Sequence, residues 1–323
     1  MLNKDYFNWK LILLASNFFL YFFYFSSILY ADNIKSLNTF GNLGIIDMPS
    51  AGSINDGVLS LSSTKIGPFL RNTISVQAVP WANASFRYSG IGDIKTSFID
   101  SGYTTWDRSF DLRIDVLKER SLFPSLSFGM NDVVGTGLLS SEYIVSSKHL
   151  FNNMKGSVGL GWGRMGSQNI IFKNGERNNN NGGQFGGLLK TSQLFRGNVG
   201  VFGGLEYIIP KTNVSLKAEL SSDSYDTDQS LIKNLPTSKF NYGANYKISD
   251  QFNFSAYYLN GNEVGGQFSI NLDPNSPTAG DYLEKYPEPF YSFPIPKNQI
   301  NKEFWIKVSD TLDEYKIKQI GFK

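Results

Sequence analysis

The chain has 323 residues, 18% charged and 15% aromatic, with 31 glycines, no cysteine and a formal net charge of +2. That balance excludes a strong pull toward nucleic acid, and the missing thiols exclude, within these residues, disulfides, Cys-based metal sites and lipidation of an N-terminal Cys. Few charges, many aromatics and no long apolar run after the first thirty residues favour a membrane β-barrel over a helical membrane protein.

The N-terminus reads as an export signal over residues 1–31. Lys4 and Lys10 precede an apolar stretch from Leu11 to Leu29, and small residues up to Ala31 offer a cleavage point. The alternative is an uncleaved inner-membrane anchor, because the stretch is long for a signal. Candidate strands follow at 57–64, 71–79, 83–90, 108–117, 124–131, 140–150, 156–165, 198–208, 213–221, 239–248, 251–260 and 263–272. The segment SFDLRIDVL is among the clearest. Phe110, Leu112, Ile114 and Val116 share one face, and Asp111, Arg113 and Asp115 share the other.

Connections after the even-numbered strands are short, and most of the others are long. The longest spans 166–197 and carries the run NNNNGGQFGG. Short periplasmic turns and long outer loops are the habit of outer-membrane barrels, and this parity predicts both barrel termini in the periplasm. The fold expected is all-β: an antiparallel, transmembrane, up-and-down β-barrel of about twelve strands over residues 38–272. The short hairpin at Asn260–Asn262 breaks the pattern of long outer loops. The last strand, EVGGQFSINL, has the spacing by which barrel-assembly machinery recognises a closing strand, although any amphipathic strand could look similar. A Pro-rich extended linker follows over residues 273–303, and 304–323 begins a further small domain.

Strand parity gives a set of polar residues expected to face the lumen: Arg87, Asp111, Arg113, Asp115, Glu142, Lys148, Glu206, Lys217, Glu219 and Lys247. Both signs occur, so the lumen is expected to be polar and nearly neutral. Each charge could equally be structural, one half of a cross-strand ion pair. Gly159, Gly161 and Gly163 should also face inward, leaving clearance for a plug, the N-terminal segment or a substrate chain, or relieving curvature. The opposite faces supply an expected lipid surface including Phe86, Tyr88, Phe128, Leu160, Leu216, Tyr242 and Phe254.

No enzymatic constellation stands out. His149 is the sole histidine, two residues from Ser147. Along one strand that is ~7 Å, too far for a direct nucleophile–base bond. The pair is expected on the outer surface, with no orienting carboxylate near in sequence. Asp111 and Asp115 would lie ~13 Å apart, beyond glycosidase separations. No phosphate loop, dinucleotide fingerprint or His-based metal spacing occurs, so neither cofactor nor metal is expected.

Several ordered stretches resemble YjbH-type exopolysaccharide-biosynthesis outer-membrane proteins, including relatives from capsule operons. They are FGNLGIIDMPSAG (Phe40–Gly52), NDVVGTGLLSSEYIVSSKH (Asn131–His149), GLGWGRMG (Gly159–Gly166), LFRGNVGVFGGLEY (Leu194–Tyr207), VSLKAELSSDSYDTD (Val214–Asp228) and Asn241–Pro274. The resemblance implies an outer-membrane barrel that assists exopolysaccharide export or surface assembly. Its implied partners are outer-membrane lipid, barrel-assembly machinery, the polysaccharide and other exopolysaccharide-export proteins. It brings no catalytic residues. Members of that family are usually about twice as long, with a small α/β module and a second barrel-like half; residues 304–323 would begin that module, and the chain is expected to be a truncated, split or shortened form. The rival expectations are a general structural or diffusion barrel without a dedicated polymer, and a soluble periplasmic β-sandwich.

Overall fold

Strand β4 (Thr105–Leu117) shows how alternation builds the wall. Asp107, Ser109, Asp111, Arg113 and Asp115 are buried, whereas Trp106, Phe110, Leu112, Ile114 and Val116 are 37–50% exposed. A water-soluble sheet would hide the second set. Here the apolar residues point out, and the charged ones point into a closed interior.

The computed structural model describes residues 35–92, 105–135, 137, 139–177, 193–225 and 237–274. The expected export signal, the linker beyond Pro274 and the segment 304–323 lie outside the described residues. Besides β4, the strands are β1 (Leu59–Ile66), β2 (Phe69–Val79), β3 (Ala82–Ile91), β5 (Ser125–Gly135), β6 (Ser141–Phe151), β7 (Met154–Gly163), β8 (Ile170–Asn174), β9 (Gly197–Ile208), β10 (Val214–Leu220), β11 (Phe240–Lys247), β12 (Phe252–Leu259) and β13 (Glu263–Leu272). All pair antiparallel. β7 pairs with β9, β9 with β10, and β13 with β1, so twelve strands close into a ring and β8 stays outside it. The seam runs from Leu59 opposite Leu272 to Ile66 opposite Gly265, which makes EVGGQFSINL the closing strand.

The long connection 166–197 is not wholly irregular. Its β8 segment pairs with the start of β9, from Asn174 opposite Gly197 to Ile170 opposite Gly200. The unexpectedly short hairpin has a local cause. Asn260 and Gly261 both have positive φ, 59° and 78°, and the Asn262 amide donates to Leu259 O at 3.2 Å, so the chain reverses within the three residues between Leu259 and its partner Glu263. At the other end of the barrel, a β-bulge between Asp115 and Leu117 turns Leu117 outward, opposite Leu126.

The interior is occupied. Residues 35–52, expected within the barrel span, do not belong to the wall. They form a re-entrant loop in which every residue from Leu37 to Ala51 is buried. Two isolated bridges, Leu37 to Leu43 and Gly44 to Pro49, fold the loop back on itself. Lys35 Nζ donates to Asn55 Oδ1 at 2.6 Å, so the two ends meet at the short-turn end of the barrel. Gly41, at φ +80°, makes the reversal, and its backbone lies against Thr73 and Ser62 with no room for a Cβ.

Candidate functional site

The lumen and its plug form the candidate site. Three apolar clusters join them. Phe40 packs with Phe69, Ile91, Leu139 and Tyr225 at the long-loop end. Ile45 and Ile46 pack with Ile66, Tyr257 and Leu259. Met48 and Ala51 pack with Tyr143, Val145, Met165 and Phe202.

Polar contacts between plug and wall are denser. Glu219 accepts the backbone N–H groups of Ile46, Asp47 and Met48 at 2.8–3.0 Å and the Asn241 amide at 2.9 Å. Three successive amides on one carboxylate make an anion nest, here filled by the wall itself. Lys217 Nζ donates to Ile45 O at 2.7 Å, and Lys155 Nζ to Ala51 O at 3.0 Å. The Ala51 amide donates to Ser147 Oγ at 2.7 Å. Gln267 Nε2 reaches Asn38 O at 2.6 Å, and Ser36 Oγ reaches Glu206 at 2.8 Å. Asp47 is the plug's own carboxylate; it accepts from Thr39 and Tyr225 and lies 3.5 Å from Arg71. The Arg71 and Arg87 guanidinium carbons sit 4.0 and 4.8 Å from the Phe40 ring centroid.

Arg87, Asp111, Arg113, Asp115, Glu206, Lys217 and Glu219 all lie on the inner face, buried. Arg87 is bidentate to Asp111 at 2.5 and 3.2 Å, and Asp111 also takes the Asn42 amide at 3.1 Å. Arg113 pairs with Asp115 at 3.0 Å and reaches Ser50 O at 3.5 Å. These pairs of opposite charge lie side by side on the wall, so both signs are present in the interior.

Three expectations are corrected. Glu142 and Lys148 share the parity of Ile144, which is the outward one, because Ser141, Tyr143, Val145 and Ser147 face inward opposite Gly163, Gly161, Gly159 and Ser157. Both charges are nonetheless buried. Glu142 is covered by Arg177 at 2.6 Å and by the Phe195 amide at 3.2 Å. Lys148 Nζ is covered by the carbonyls of Arg120 and Ser121, at 2.9 and 2.8 Å, in the turn between β4 and β5. Lys247 has the inward parity but sits exposed at the rim, paired with Asp250 at 2.7 Å.

The clearance beside Gly159, Gly161 and Gly163 is taken by the chain itself. A Cβ on Gly159 would meet the Phe202 ring; one on Gly161 would meet Met165; one on Gly163 would meet Ser140 O and the Arg177 guanidinium. Ser147 and His149 face inward, not outward. Ser147 is held by Ala51 and by Ser157 Oγ at 2.7 Å. His149 Nδ1 lies 2.8 Å from Glu119, a carboxylate thirty residues away in sequence.

Beyond the strands, burial lifts the Asp223 carboxyl to about 6 against the pull of its ion-pair partner Arg164. Burial also acts to raise the Glu119 carboxyl, but the His149 ring and amide, helped by Lys148, together hold it below its ordinary range.

Residues 36–323 match the family model YjbH, described as exopolysaccharide biosynthesis protein YbjH. An Escherichia coli (strain K12) protein named uncharacterized lipoprotein YjbH is 31% identical over 249 residues, covering 74% of this chain and 35% of the relative. The chain therefore spans about a third of that relative's length. Among solved structures, the KdgM porin is similar over 67% of this chain and 98% of its own, at 8% identity and a TM-score of 0.36. The NanC porin is similar over 66% and 97%, at 10% identity and a TM-score of 0.34. The match over residues 36–323 takes in the plug and every strand of the barrel, and with it the chain belongs to the YjbH exopolysaccharide-biosynthesis family.

Proposed function

We propose that this chain is an outer-membrane barrel that assists export of an exopolysaccharide or capsule polymer, held closed by its own residues 35–52. The observation that carries the reading is the inverted wall, apolar outside and charged inside, on a chain of an exopolysaccharide-biosynthesis family. Only a lipid surround makes that inversion favourable. In this reading the short turns and both barrel termini face the periplasm, an N-terminal signal directs export, and barrel-assembly machinery closes β13 on β1. Lumen side chains handle sugar hydroxyls by hydrogen bonding and perform no covalent chemistry. Polymer passes only when the plug leaves, and the remainder of the conduit comes from other exopolysaccharide-export proteins.

A second reading has a specific observation in its favour. The plug is bound along its whole length, which suits a structural or diffusion barrel without a dedicated polymer. A disulfide separates the two. The natural 323 residues hold no cysteine, and the Ala51 amide already touches the Ser147 side chain. In the native host, Ala51→Cys with Ser147→Cys should cut surface polymer when oxidised and restore it on reduction, at constant barrel abundance. Unchanged surface polymer with a fully formed disulfide would favour the second reading.

A further inference from the structure

On the outer wall, at the short-turn end, lies a groove of about 680 Å³. This falls within the roughly 300–1,000 Å³ of small-molecule sites. Its sides are Leu117, Leu122, Phe123, Leu126, Ile144 and Val158. Ser146 forms the floor, opposite Leu126 on one side and Val158 on the other, and its small side chain creates the depth. The bulge at Val116 swings Leu117 into the rim. The turn 118–124 forms the far lip, tied down from below by Lys148 Nζ on the carbonyls of Arg120 and Ser121. A buried lysine thus shapes the entrance to an apolar slot. The same turn carries Lys118 and Arg120, both exposed, next to the groove-lining Leu117 and Leu122.

We infer that this groove is a binding site for an anionic glycerophospholipid, with one acyl chain in the slot and its phosphate on Lys118 and Arg120. The inference rests on the membrane reading above. Charge complementarity selects the occupant: the slot is apolar, the turn forming its lip carries two exposed cations, Lys118 and Arg120, on either side of a Glu119 already engaged by His149, and that turn lies at the expected headgroup level of the periplasmic leaflet. A zwitterionic phosphatidylethanolamine also brings a phosphate, but its ammonium offsets that charge beside the two cations, so the lipid of net negative charge is favoured.

The test uses the full chain reconstituted into vesicles of equal phosphatidylethanolamine and phosphatidylglycerol, then released and weighed by native mass spectrometry. Wild type should retain one phosphatidylglycerol per chain. Lys118→Glu with Arg120→Glu should reduce that retention at least fivefold. Ser146→Leu, which raises the floor, should reduce retention of both lipids. Equal retention by wild type and the charge-reversed variant would overturn the inference, as would no retained lipid at all. Heat-modifiable migration of each sample keeps the two readings apart. A folded barrel without selective lipid refutes the groove alone, whereas wild type that never inserts refutes the membrane reading and the groove together. Should Ser146→Leu fail to fold, the charge-reversed variant still decides.

Discussion

Replacing Glu219 with alanine should unseat the plug while leaving the wall standing. The carboxylate accepts three consecutive plug amides, from Ile46, Asp47 and Met48, and all three residues are buried. A buried donor left without an acceptor costs about 1–3 kcal/mol. Allowing for one amide finding a substitute, the seated plug should lose about 3–5 kcal/mol, or roughly two to four orders of magnitude in its occupancy ratio. Glu219→Gln keeps an acceptor oxygen and should lose less. The assay is maleimide labelling in a Ser50→Cys background, where the new thiol is nearly isosteric and buried against the wall. Glu219→Ala should label at least 100-fold faster than its parent, and heat-modifiable migration should persist because the ring of strands does not depend on Glu219. Unchanged labelling in a folded barrel would show that the nest does not hold the plug.

Leu216 and Lys217 test the facing of the wall, since Leu216 is 47% exposed on the outside while Lys217 is buried against Ile45 O and Glu206. Leu216→Arg should cost ~2–4 kcal/mol near a bilayer midplane and block insertion, whereas Lys217→Met should insert normally with a looser plug; equal insertion yields would sink the assignment of faces. Glu119 gives a pH signature. Its carboxyl titrates lower in the fold than in the unfolded chain, so its contribution is complete above the unfolded value and disappears as pH falls through the folded one. Melting temperature should therefore drop below about pH 4, the unfolded glutamate value, and the drop should be shallower in Glu119→Gln; parallel curves would show that the contact with His149 stabilises nothing.

The strands were legible because one physical rule governs nearly all of them: apolar out, polar in, turns short at one end. β6 was misread for a reason the structure supplies. Its inward residues Tyr143 and Val145 face not water but Met48 and Ala51 of the plug, so the apolar residues point inward and the charges of Glu142 and Lys148 fall outward. Those charges survive there because a loop arginine and turn carbonyls cover them. Nothing in 35–52 marks it as a plug, since it has neither strand nor helix period, and its partners lie up to 229 residues away. The inward glycines were a real signal, though an indirect one. Gly159 makes room for Phe202, and it is Phe202 that touches the plug.

The plug remains attached to the wall it fills. Between Gly52 and the point where Val58 accepts the Gln77 amide lie five residues, a tether of at most ~21 Å when fully drawn out. A displaced plug therefore never diffuses away. It stays at the mouth at a local concentration in the millimolar range, competing with whatever enters the lumen. In the export reading proposed above, opening on this leash would be transient and self-reversing. In that reading a polymer would have to outcompete the plug continuously or be threaded fast enough to hold it aside, and the tether alone would bring the plug back.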